Sequence, residues 1–239
     1  MGRRFAAVVV SALLFAPGWL GMTGFTLFAA FVPLLRLSAS YDDSHRAWWR
    51  MAGWATLTFV LWNALTVWWI GFATPVGPPA ATLASTTLNL VAFMSFHTVS
   101  KRAPKALAYT TLVAAWIATE YWYTVGDFSW PWLILGNGFS HDVWAVQWYE
   151  FTGVMGGSLW VLVVNILLYE AWRHRRWAAA ACAVVLPLAV SLAIWHREGK
   201  IQETQHVAVS IIQPDVDCYD KFHGDDERQR SNILDLLGE

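Results

Sequence analysis

The sequence predicts an α-helical polytopic membrane bundle of about seven spans, followed by the first strand and helix of a water-exposed α/β domain. Three observations predict it. Apolar residues make up 56% of the chain and charged residues 14%, where a soluble domain carries about 25% charge. The apolar residues are gathered into runs at roughly 5–17, 20–36, 51–73, 80–100, 106–124, 152–172 and 177–195. The charge is unevenly spread: residues 1–200 hold 13 Lys/Arg against 8 Asp/Glu, and residues 201–239 hold 3 against 9. Two regions of different solvent follow, residues 1–199 as a transmembrane helical domain and residues 200–239 as a second domain.

A span needs about 20 residues at roughly 1.5 Å each. The last five runs meet this or approach it. The first two are short and divided by Pro17-Gly18, which suggests a tight hairpin of shallow or tilted helices. Six spans is the alternative, if that pair is one broken helix. The opening MGRRFAAVVVSALLFAPGW has the charge and apolar core of a signal peptide, but Leu14 and Phe15 stand before Ala16 where cleavage wants small residues. It reads as a retained helix.

Seven spans with the N-terminus in the cytoplasm put Arg3, Arg4, Arg36, Arg46, Arg50, Lys101, Arg102, Lys105, Arg173, Arg175 and Arg176 inside, and no Lys or Arg in the outward loops before residue 196. This is the positive-inside pattern. It places the C-terminal tail on the far side. Trp48, Trp49, Trp68, Trp69, Trp122, Trp172, Trp177 and Trp195 fall at span ends, where an indole keeps its body in lipid and its N–H wet. Trp62, Trp116 and Trp160 fall mid-span. The runs at 51–73, 80–100 and 177–195 carry no Asp, Glu, Lys or Arg. That argues against an ion-coupled transporter, which places ionisable groups near the midplane. Asn63, Asn89 and Asn165 lie near span centres and read as interhelical hydrogen-bonding residues. His97 reads as interfacial, and Cys182 as a packing residue. Two distant cysteines make neither a disulfide framework nor a metal site.

The longest outward segment, TVGDFSWPWLILGNGFSHDVWAVQWYEFTGVMGG, holds four tryptophans and no Lys or Arg. Such a loop packs on the bundle or dips into the outer leaflet. Phe128, Trp130, Pro131, Trp132, Gly136 and Asn137 are its candidates for a lipid- or substrate-facing surface. A plain aromatic belt is the competing reading. Gly153, Gly156 and Gly157 open the next helix and permit close approach.

In the tail, VAVSIIQ (207–213) is apolar on both alternating faces, as in a strand covered on both sides. GDDERQRSNILDLLGE reads as a helix with Asp225, Asp226 and Glu227 at its positive end. One strand cannot stand alone, so the tail is expected to begin a larger domain.

Four stretches together resemble the bacterial apolipoprotein N-acyltransferases. They are the opening helix–Pro-Gly–helix; ATEYWYTVGDFSWPWLILGNGFS (118–140), similar to that family's Glu-Trp, Phe-Pro-Trp and Leu-Gly signature; GVMGGSLWVLVVNILLYEAW (153–172), similar to its Gly-rich helix with an Asn; and VAVSIIQPDVDCYDKF (207–222), similar to its strand-Gln-Pro-Asn. The chain departs in reading Ser-Trp-Pro-Trp, in having Asp215 after Gln-Pro, and in length. The resemblance implies that residues 200–239 begin an extracytoplasmic nitrilase-like αββα domain. It implies residence in the bacterial inner membrane, a phospholipid acyl donor, a diacylated apolipoprotein as acceptor, membrane lipids as partners, and no nucleic acid, metal or cofactor.

The chemistry implied is two-step acyl transfer. A cysteine thiolate takes the acyl group from a phospholipid ester, a glutamate serves as general base, and a lysine holds the oxyanion. In the family these three lie beyond the first βα unit, so none maps onto residues 1–239, and no catalytic residue is expected here. Cys218 follows the first strand and is not expected to substitute. A non-catalytic membrane module of a truncated or split enzyme is the alternative.

Overall fold

The computed structural model describes residues 2–126, 129–198, 209, 211–213, 216 and 226–238. It divides into two units, Met1–Gly199 and Lys200–Glu239. The first is a helical bundle of α1 (Gly2–Phe15), α2 (Val32–Ala39), α3 (His45–Thr66), α4 (Gly77–Arg102), α5 (Lys105–Val125), α6 (Tyr149–His174) and α7 (Trp177–Glu198). In the second, α8 spans Asp226–Gly238 with Asp226 and Glu227 in its first turn.

Consecutive helices α3, α4 and α5 pack side by side, α1 lies against α3, and α6 joins α5 to the rest. Aromatic rings fill the centre. Phe15 stacks on Trp62 with centroids 4.6 Å apart, Phe31 meets Phe15 and Trp116 edge-on, and Phe28 meets Trp160 at 4.6 Å. Trp62, Trp116 and Trp160 are buried, whereas Trp49, Trp68, Trp122, Trp172, Trp177 and Trp195 are exposed. Trp48, also read as a span-end residue, is partly buried against the core, so the two classes of tryptophan differ in surroundings at every other position named.

Basic residues gather at one end. Arg4 Nη1 donates to Tyr41 Oη (3.2 Å), and Lys101 Nζ donates to the carbonyls of Ser38 and Tyr41 (2.8 Å each). Arg102 pairs with Asp43 (3.1 Å) and Lys105 with Glu170 (3.2 Å), while Arg36 covers the Trp172 ring. This basic end thus joins the start of α1, the end of α2, the starts of α3 and α5, and the ends of α4 and α6. The loops between α1 and α2, α3 and α4, and α5 and α6 meet at the opposite end, called here the loop end.

Several expectations need correction. The second apolar run is no continuous helix: it is a 3₁₀ turn, Gly24–Ala29, then the eight-residue α2. Among the described residues, two of the seven expected spans, α6 and α7, are long and apolar enough to cross a membrane. His97 is buried at the basic end, with Nδ1 2.7 Å from Ser38 Oγ. Cys182 is exposed on α7. Asn165 does bond between elements, but Asn63 donates to Phe59 O of its own helix. Of the predicted strand 207–213, the described residues Val209, Ile211, Ile212 and Gln213 are not in a strand, and the rest, like Cys218, lies outside the described residues.

Candidate functional site

Between α5 and α6 the chain makes three short 3₁₀ turns, Pro131–Leu133, Leu135–Phe139 and Val143–Ala145. Pro131 and the glycines at 136 and 138 explain the interruption, since neither residue type supports a long helix. Leu133, Leu135 and Phe139 point into the core, so the segment is packed on the bundle.

Polar side chains from four elements hold it. From α5, Glu120 Oε1 accepts from Leu135 N (2.7 Å) and from Trp116 Nε1 (3.0 Å). From α6, Ser158 Oγ accepts from Gly136 N (3.0 Å) and Tyr149 Oη donates to Gly136 O (2.9 Å). From the turn after α1, Trp19 Nε1 donates to Trp132 O (2.8 Å). From α7, Ser191 Oγ accepts from Gln147 N (2.7 Å) and donates to Trp144 O (2.8 Å). In return, Asp142 Oδ2 accepts from Thr23 Oγ1 (2.8 Å) and Gly24 N (2.7 Å), which caps the 3₁₀ turn Gly24–Ala29. Gly157 permits this packing: a Cβ there would strike the Tyr149 phenol and lie 2.9 Å from Gly136 Cα.

These ties border a half-open cavity of about 640 Å³. Its wall includes Trp19 and Gly18 from the first turn, Trp132, Gly136, Asn137, Ser140 and His141 from the loop, and Gln147, Tyr149 and Glu150 at the start of α6. Trp132, Gly136 and Asn137, three of the predicted residues, line it. Pro131 is exposed, and its carbonyl accepts from Asn137 Nδ2 (2.7 Å). Trp130 packs against the core instead. Phe128 lies outside the described residues. Sequence reasoning missed Trp19, His141, Gln147, Tyr149 and Glu150. Only Trp19 carried a signal, as an indole directly after Pro17-Gly18.

The lining suits binding more than bond-making. Indoles and a phenol offer apolar faces, and the Asn137 and Gln147 amides, the His141 imidazole and the Glu150 carboxylate offer hydrogen bonds. Glu150 lies 3.9 Å from Arg197 at the end of α7, both largely exposed. Among the described residues, no thiol lines the cavity and no three His, Cys, Asp or Glu are grouped to hold a metal ion.

Comparison with known proteins gives a consistent result. Residues 7–167 match the family described as apolipoprotein N-acyltransferase N-terminal domain. An apolipoprotein N-acyltransferase of Chlorobaculum tepidum is 28% identical over 219 residues, covering 88% of this chain and 40% of the relative. One of Gloeobacter violaceus is 26% identical over 252 residues, covering 95% of this chain and 46% of the relative. The chain thus spans less than half the length of these relatives. No solved structure matches it.

Proposed function

Because the chain belongs to the apolipoprotein N-acyltransferase family through its N-terminal domain, we propose that it is the membrane part of an enzyme that moves an acyl chain from a phospholipid to the N-terminal amine of diacylglyceryl-cysteine in apolipoproteins. The observation that carries this reading is the family match, which runs from α1 into α6 and so includes the whole loop-end wall. The part assigned to these residues is lipid handling: an apolar bundle, and an aromatic cavity with amide and carboxylate groups at its loop end. The thiolate, general base and oxyanion lysine belong to the nitrilase-like part of the whole protein, whose start we assign to residues 200–239.

In this reading α1 and the broken second segment form a shallow pair, and α3 to α7 cross the bacterial inner membrane. The basic end faces the cytoplasm, and the loop end and residue 239 face outward. The gathering of Arg4, Arg36, Lys101, Arg102 and Lys105 at one end supports this sidedness.

Depletion of the encoded protein in its own cell tests the function by mass spectrometry of mature lipoproteins. The expected result is a shift from triacylated to diacylated N-termini. Unchanged acylation would overturn the assignment.

A further inference from the structure

Glu120 is the acid inside α5, 2% exposed and five residues from the helix end. In a bundle that lipid surrounds, a buried ionisable residue is costly and marks a function with a nameable partner. Among the described residues, Glu120 pairs with no Lys or Arg. Its Oε1 accepts from two N–H groups, its Oε2 is buried with no close partner, and the Ser158 hydroxyl lies near enough to interact with the carboxyl. An apolar residue would fill the space without leaving that oxygen orphaned, so packing alone does not account for the carboxyl.

The partner explains the choice. The 3₁₀ turn Leu135–Phe139 begins at Ile134, whose side chain cannot cap it. The first N–H groups of any helical turn have no partner inside the turn. Here they are taken from a distance, Leu135 N by Glu120 and Gly136 N by Ser158, while Tyr149 takes the Gly136 carbonyl. Three successive backbone groups of the cavity wall are thus fixed by side chains from two helices.

We propose that Glu120 is a positioning residue: with Ser158 and Tyr149 it caps the Leu135–Phe139 turn from the neighbouring helices and so holds Gly136 and Asn137 in place as the cavity wall. The inference rests on the proposed reading of this cavity as the lipid-handling site, but its test does not need acyl transfer.

The test uses the full chain in phosphatidylethanolamine–phosphatidylglycerol vesicles, with Cys182 and Cys218 replaced by Ala and Ile134→Cys, at a buried position beside the turn, as reporter. The rate of modification by a membrane-impermeant maleimide is read beside the thermal midpoint of tryptophan fluorescence. Glu120→Ala should raise the rate about tenfold, as expected when one strong buried hydrogen bond is lost. Glu120→Gln keeps an acceptor for Leu135 N and should stay within about twofold of the parent. Leu112→Ala, a buried apolar truncation in the same helix, should lower the midpoint without raising the rate. Equal rates for Glu120→Ala and the parent, or equal opening by Leu112→Ala, would overturn the proposal. Should Glu120→Ala not fold, Ser158→Ala removes the Gly136 cap alone, and an unchanged rate there would also overturn it. Acylation results in cells do not bear on this outcome, so failure of the enzymatic reading and failure of the positioning role are separable.

Discussion

Asn165 shows how much one amide can do inside the bundle. Its Oδ1 accepts from Phe31 N (2.8 Å) and its Nδ2 donates to Leu27 O (2.7 Å) and Val161 O (2.8 Å). Phe31 N and Leu27 O lie where the second apolar run breaks between its 3₁₀ turn and α2, and a break in lipid needs partners for its freed backbone groups. Asn165→Ala should therefore cost about 2–4 kcal/mol, two buried bonds at roughly 1–2 each, read as a lower thermal midpoint in detergent. Asn165→Asp keeps the acceptor and loses the donors, so its midpoint should also fall. Asp142 makes the matching cap at the other side of that turn. Asp142→Ala should lose about 1–3 kcal/mol and Asp142→Asn clearly less, since an amide oxygen still accepts from Gly24 N. A midpoint equal to the parent's in either alanine variant would show that water satisfies the turn instead.

Among the elements, α7 differs most from its neighbours. It packs chiefly on α6 and the turn Val143–Ala145, and it leaves Val185, Leu186, Val190, Leu192 and Trp195 exposed. Charge is absent from its length between Trp177 and Trp195. That surface fits lipid. Leu186→Arg near its middle should reduce membrane insertion, because a central arginine costs about 2.5–3.5 kcal/mol on insertion scales. Insertion equal to the parent's, measured by alkali extraction, would place α7 elsewhere. Cys182 on the same helix is a second probe. In intact vesicles it should resist a membrane-impermeant maleimide and react once the vesicles are dissolved in SDS. α6 behaves differently because Gly153, at φ 61°, breaks it near its start, and this lets Tyr149 and Glu150 turn toward the cavity.

At the scale of the whole molecule, two ends of unlike chemistry define the bundle. Five arginines and lysines tie helix ends together at one, while indoles and capped 3₁₀ turns meet at the other. The positive-inside rule then predicts that an alkaline phosphatase reporter fused at Glu239 is active, and that a reporter in the loop between α4 and α5 is not. The reverse pattern would invert the bundle and remove the cavity from the side where apolipoproteins are acylated in the proposed reading.

The long apolar helices and most of the separation of exposed from buried tryptophans were legible in the sequence, because hydropathy and indole placement are properties of local composition. The packing of the loop on the bundle was legible too, since a segment with four tryptophans and no cation must seek apolar cover, and it carries Trp132, Gly136 and Asn137 to the cavity wall. The broken second helix was not, because its cost is met by an amide 134 residues away. The rest of the cavity was not either: Trp19 reaches the loop across 113 positions. Glu120 looked like part of a motif until its partners were seen. Backbone groups freed by a turn can be satisfied by any suitable side chain that the packing brings near, and which one does so is fixed only when the helices meet.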